Sequence, residues 1–151
     1  MHANINIKLM EKLYLLLQPY PEAAAFVVEY RNYIHQIDDL IDSPNRPTEE
    51  ELLKTFAQAG ALFSMPFWIH HGQLLAVLEQ VINNTYCDSV AWEHDTTPWK
   101  KLDAGVLRHA GIDMFYAVLL LTVGREKLRE VSAEFREQTH LAHMDEKFAA
   151  I

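Results

Sequence analysis

The stretch Phe26-Val27-Val28-Glu29-Tyr30-Arg31-Asn32-Tyr33-Ile34-His35-Gln36-Ile37-Asp38-Asp39-Leu40-Ile41-Asp42 (residues 26–42) sets the fold class. Phe26, Tyr30, Tyr33, Ile34, Ile37 and Ile41 recur every three or four residues, the period of one helical face. Arg31, His35, Asp38, Asp39 and Asp42 gather on the other side. The pattern predicts a core-facing amphipathic helix. Pro21 opens it, and the run Ser43-Pro44-Asn45-Arg46-Pro47 forces a loop after it.

Outward from that helix the pattern repeats. Only 5 Gly and 6 Pro occur in 151 residues, and the prolines cut the chain at Pro19/Pro21, Pro44/Pro47, Pro66 and Pro98. A first helix is expected from about Ile5 to Gln18, and the second from after Pro21 to about Ile41. Thr48 and Glu51 form a capping box that opens a third, reaching about Ser64. A fourth starts at Pro66 and continues to Glu93. Thr97 as cap and Pro98 at the first helical position open a fifth, which ends at Gly124 as a left-handed cap. The sixth fills Arg125 to about Lys147, with Val131, Phe135 and Leu141 among its apolar positions. No strand pattern or internal repeat intervenes. The expectation is an all-α, single-domain bundle over residues 1–151, with about six helices, mostly antiparallel through short connections.

The run Met114–Val123 is apolar on nearly every side and too short to span a bilayer, so the fifth helix is expected to be the most buried. Leu74, Leu78, Val81 and Ile82 are read as the core stripe of the fourth helix. Trp99, Val106, Ala110, Ala117 and Leu121 are read as the inner face of the fifth, which brings Asp103 and Asp113 onto that face.

Composition narrows the function. Half the residues are hydrophobic and 23% are charged, an ordinary globular mix. With 21 acidic against 13 basic side chains the net charge is −8, which argues against a grip on nucleic-acid phosphates and against an anionic membrane. The single Cys87 excludes an internal disulfide and a cysteine zinc cluster, and reads as a quiet thiol. The N-terminal Met-His-Ala-Asn-Ile-Asn-Ile-Lys lacks a basic region followed by an apolar core, so a cytoplasmic location is the expectation. Adjacent His70 and His71 point apart on a helix, whereas His140 and His143 at i, i+3 have chelating spacing.

Asp38, Asp39 and Asp42 place three carboxylates within five residues at a helix C-terminus, where the dipole is already negative. A divalent cation such as Mg²⁺, which prefers hard oxygen ligands, would relieve their repulsion. The plain alternative is a solvated polar face. The run Asp38-Asp39-Leu40-Ile41-Asp42 has the DDxxD form and follows Tyr30-Arg31-Asn32-Tyr33. It resembles the first aspartate-rich motif of the all-α isoprenoid synthases, particularly the phytoene and squalene synthase branch. The resemblance implies Mg²⁺ ions held by Asp38, Asp39 and Asp42 and bound to a substrate diphosphate. It also asks for a second acidic motif on a facing helix. The fourth helix offers Thr85, Ser89 and Glu93 at i, i+4, i+8, with Asn84 and Asp88 beside them. Asp88 and Glu93 then complete the metal set, and Arg31, His35, Thr85 and Ser89 face the substrate. Asp39 and Asp42 also have the i, i+3 spacing of acids in the all-α nucleotide pyrophosphatases of the dimeric dUTPase type.

Asp88, Asp103 and Asp113 form a second candidate group, as carboxylates on faces that the pattern assigns to the interior. Three readings follow. The first is a Mg²⁺-dependent helical protein directed at a diphosphate or nucleotide, that is, a phosphorylated small molecule. The second is a non-enzymatic accessory protein whose acidic surface docks on a basic protein partner. The third is a homodimer joined through the sixth helix or the aromatic segment Phe63-Ser64-Met65-Pro66-Phe67-Trp68.

Overall fold

A computed structural model describes the backbone of residues 2–149 and the side chains of residues 8–139. Seven helices follow one another: α1 (His2–Leu17), α2 (Pro21–Asp42), α3 (Glu49–Leu62), α4 (Pro66–Glu93), α5 (Pro98–Leu107), α6 (Ile112–Thr122) and α7 (Arg125–Ala149). No strand occurs among the described residues, so the all-α expectation holds. The boundaries follow local chemistry. Pro21, Pro66 and Pro98 each sit in a first turn, where a missing N–H costs nothing. At the start of α3 the capping box is complete: the Thr48 N–H donates to Glu51 at 2.8 Å, and the Glu51 N–H donates to Thr48 Oγ1 at 3.2 Å. Gly124 has φ +91°, and its N–H reaches the Leu119 carbonyl at 3.0 Å, which closes α6 in a conformation that disfavours a Cβ.

The expected fifth helix is two helices. Between α5 and α6 the N–H groups of His109, Ala110 and Ile112 reach carbonyls three residues back, at 3.2, 3.0 and 3.0 Å. This tighter winding turns the chain at Arg108–Gly111 and resets the helical phase. Gly111 lets the turn lie against α2, because a Cβ there would meet Ile34 Cδ1 at 3.0 Å. The inner face read for a continuous helix is therefore corrected. Trp99, Val106 and Asp103 are exposed, and Asp113 is half-exposed and paired with Arg136 at 3.2 Å. Burial in this region passes to Ala104 and Gly105 of α5 and to Ile112, Met114, Phe115, Val118 and Leu119 of α6. By length and composition alone Pro98–Thr122 could cross a bilayer, with mean hydropathy 1.4. The turn interrupts it, and α6 spends its apolar side chains on the core.

Helix α2 packs against α1, α3, α4 and α6, while α7 closes over α1 and α6. Phe26 and Tyr30 of α2 are fully buried, together with Leu13, Leu17, Leu62, Leu75, Met114, Val118, Leu119 and Phe135. The α2 stripe fades toward its end, where Ile41 is exposed. In the Phe63–Trp68 segment, expected to offer an interface, Phe67 is buried and Phe63, Met65 and Trp68 are partly buried against the core. The Phe26 ring lies 5.4 Å from Phe67 and 6.0 Å from Trp68, and Phe63 lies 4.6 Å from Trp68. The core face of α4 is also displaced by one residue from the expected stripe. Leu74 and Val81 are exposed, and Leu75, Glu79, Ile82 and Ser89 are buried. Apolar residues at 74, 75, 77, 78, 81 and 82 fill one broad face of this helix, and the core takes only the side of it that holds Leu75 and Ile82.

Candidate functional site

Two sites bring carboxylates of α2 and α4 together with other elements, and they are built differently. The first surrounds Arg108 in the turn between α5 and α6. Its guanidinium donates to Asp38 at 3.1 Å and to Asp42 at 3.4 Å, both in the last turns of α2. It also pairs with Glu93 at the end of α4 and donates to the Tyr86 hydroxyl at 2.9 Å. The Tyr86 hydroxyl in turn donates to Asp38, and its ring lies under the guanidinium carbon at 5.0 Å. The Arg108 side chain is 12% exposed, whereas those of Asp38, Glu93 and Asp42 are 37%, 44% and 58% exposed. Desolvation and the neighbouring Asp38 push the Asp42 carboxyl above its ordinary range, with Arg108 pulling the other way. Desolvation, with the hydrogen bond to Asp38, pushes the Tyr86 hydroxyl up.

Of the five acids expected to hold a metal, Asp38, Asp42 and Glu93 come together. They converge on Arg108. Asp39 is exposed and outside this group, and Asp88 is exposed with Asn84 as its donor at 3.4 Å. Among the described residues no three acids, histidines or cysteines are placed to hold one ion. The repulsion that argued for a divalent cation is met by a guanidinium from the turn between α5 and α6. The hydroxyls expected to face substrate turn back on their own helix: Thr85 donates to the Val81 carbonyl at 3.0 Å, and the fully buried Ser89 to the Tyr86 carbonyl at 2.6 Å. Of Asp88, Asp103 and Asp113, expected inside, none is buried. Cys87 is exposed, and His140 and His143 lie outside the described side chains.

The second site is a cavity of about 210 Å³ between α2, α4 and α6, with Leu9 and Met10 of α1 on its wall. Ile34, Ile37, Ile82, Ile112 and Phe115 make most of its surface apolar. Inside lies Glu79, only 6% exposed, whose carboxylate accepts a hydrogen bond from the buried Tyr30 hydroxyl at 2.8 Å. Asn83, one turn on, is its other hydrogen-bond partner. Among the described residues no basic side chain forms an ion pair with Glu79. Burial pushes its carboxyl above the ordinary range, opposed by those two hydrogen bonds. Burial likewise pushes the Tyr30 and Tyr33 hydroxyls up, with the Glu79 charge adding to it.

Arg31 and His35 do line this cavity, as their face of α2 suggested. The Arg31 Nε is buried and has no hydrogen-bond acceptor among the described residues. Partial desolvation, then the Arg31 charge, hold the His35 imidazole below its ordinary range. Glu79 and Arg108 were absent from the expected site. Glu79 carries a retrospective signal, standing four residues after Leu75 and three before Ile82. No spacing rule links Arg108 to acids 66 and 70 residues away. Comparison of the chain with protein-family models, with curated proteins and with solved structures returned no match.

Proposed function

We propose that the protein binds a small organic molecule in the cavity between α2, α4 and α6, with Glu79 as the polar anchor. One observation carries this reading: a carboxyl that is 6% exposed faces a cavity and meets only neutral hydrogen-bond partners. A buried carboxylate is costly unless it is paired, and a perturbed acid in an apolar cleft is a common mark of a binding site. The walls supply apolar contact, and Glu79 supplies orientation.

The diphosphate reading asks for Mg²⁺ on Asp38, Asp39 and Asp42. Two of those acids hold Arg108, so an ion there has to displace a guanidinium already bonded to three carboxylates. Thermal unfolding separates the readings. The expected result is stabilisation of the wild-type chain by small aromatic or aliphatic molecules, lost in Ile37→Trp, which fills the cavity from its wall. Stabilisation by Mg²⁺ with inorganic diphosphate alone returns the metal reading. No response to small molecules, with salt-sensitive capture of a basic protein, returns the docking reading.

A further inference from the structure

We infer that the ligand of this cavity is an organic ammonium, a ring-sized apolar body whose cationic nitrogen sits against Glu79 among the rings of Tyr30, Tyr33 and Phe115. The inference rests on the cavity being a binding site and adds the charge of what enters it. An ionised carboxylate has about four acceptor positions. Glu79 uses its own on Tyr30 and Asn83, both neutral, and on no cation among the described residues. Neither arginine on the cavity wall fills the gap. Arg108 is committed to Asp38, Asp42 and Glu93, and Arg31 makes no ion pair with Glu79. A ligand that brings its own positive charge completes the pair inside the low-dielectric interior, where the pairing is strongest.

The surrounding rings favour the same sign. Tyr30 lies 6.5 Å from Tyr33 at an interplanar angle of 47°, and 6.0 Å from Phe115 edge-on at 86°. All three rings line the cavity with Glu79. Aromatic faces carry negative potential and attract ammonium groups, most strongly when the cation is desolvated. An anion would instead meet the Glu79 carboxylate. The net charge of −8 raises the local concentration of cations around the whole chain. Size is matched to a single ring with a short tail. A dry cavity of about 150 Å³ holds benzene, and this one measures about 210 Å³. The unsatisfied Arg31 Nε offers a hydrogen bond to one acceptor atom on such a molecule.

Calorimetric titration of the full chain tests this with three isosteric probes: 2-phenylethylamine, neutral 2-phenylethanol and anionic phenylacetate. The expected result is amine binding at least about tenfold tighter than alcohol binding. In Glu79→Gln, which keeps the shape and an acceptor for Tyr30, the amine's advantage disappears while alcohol binding persists. Tyr33→Leu is the second variant, and it is expected to weaken the amine about threefold or more with the alcohol little changed. If the alcohol equals the amine, or phenylacetate binds best, the ammonium inference is overturned and the cavity reading stands. If none of the three binds the wild type and Ile37→Trp behaves identically, both are overturned.

Discussion

The carboxylates around Arg108 and the carboxyl of Glu79 reverse the order that solvation alone would set. Asp38, Asp42 and Glu93 are 37–58% exposed and could rely on water, yet they receive an internal guanidinium. Glu79 is 6% exposed and needs a counter-charge most, yet it receives a hydroxyl and an amide. A cation placed among half-exposed acids gains only modestly from Coulomb attraction. Its larger effect is geometric. Arg108 ties the turn between α5 and α6 to the C-terminal ends of α2 and α4, and Tyr86 stacks beneath it. Charge density along a helix therefore marked a structural clamp. Charge left without a partner, inside and beside a cavity, marks the candidate binding site.

The strongest way to break this contrast is to remove the clamp. Arg108→Ala leaves three acids facing one another across two helices. Breaking a fully buried pair costs about 3–5 kcal/mol, and the exposure of the partners lowers this to about 2–3 kcal/mol, read by urea unfolding. Millimolar Mg²⁺ is expected to restore part of that loss in the variant and to leave the wild type unchanged. An equal Mg²⁺ response in both proteins means that Arg108 does not close the cluster. Arg108→Lys recovers only part of the stability, because an ammonium lacks the planar fork that reaches several acids and stacks on Tyr86.

Glu79→Gln sharpens the other side of the comparison. The folded-state carboxyl titrates above its unfolded value, so the folded chain holds its proton more tightly. Below the ordinary carboxylate range both states are protonated and the charge costs nothing. Stability then falls as pH rises through the unfolded and then the folded value, by about 1.4 kcal/mol per unit of separation, and levels off. The groups near Glu79 are of both signs. Tyr30 and Tyr33 from α2 are pushed up, away from this window, and the charges of Arg31 from α2 and Asp113 from α6 lie in the same region. Glu79→Gln is therefore expected to be more stable than the wild type at pH 7 by about 1 kcal/mol and equal to it near pH 3. Destabilisation by the same change at pH 7 means that the ionised carboxylate is already compensated.

The elements whose ends carry explicit chemistry were legible in the sequence. Thr48 and Glu51, Pro21, Pro66 and Pro98, and Gly124 each act within a turn or two of themselves, and the structure uses them as read. At the turn Arg108–Gly111 the sequence offered only Gly105 and Gly111 as places for the helical phase to slip, and the contact that fixes the turn's place, Gly111 against Ile34, joins positions 77 residues apart in the chain. The phase of α4 was lost for another reason. Its apolar face is wider than the strip the core uses, and the packing of the other helices decides that Glu79 at its edge faces inward while Leu74 and Val81 stay in water. That single phase choice hid the cavity's acid and promoted Asp88, which is exposed. The acids of α2 were rightly read as needing a positive charge, but the charge came from Arg108, 66 residues beyond Asp42.

The smallest expected effect tests the boundary of the clamp. Asp39 stands between Asp38 and Asp42 in sequence, but it is exposed and makes no bond to Arg108 among the described residues. In the diphosphate reading it is a central metal ligand, so Asp39→Asn should remove any Mg²⁺ response together with ligand binding. In the clamp reading the same change removes one negative charge from the negative end of the α2 dipole. That stabilises the fold by about 0.3 kcal/mol at low ionic strength, and the gain fades as salt screens it. Amine binding by Glu79 stays unchanged, because the Asp39 side chain is not among those lining the cavity. Paired urea titrations at low and high salt, beside one calorimetric titration with 2-phenylethylamine, read both effects. A loss above about 1 kcal/mol, beyond the usual range for an exposed substitution, or a loss of amine binding, would place Asp39 inside a working site. The separation between a closed acid cluster and an open buried acid would then fail.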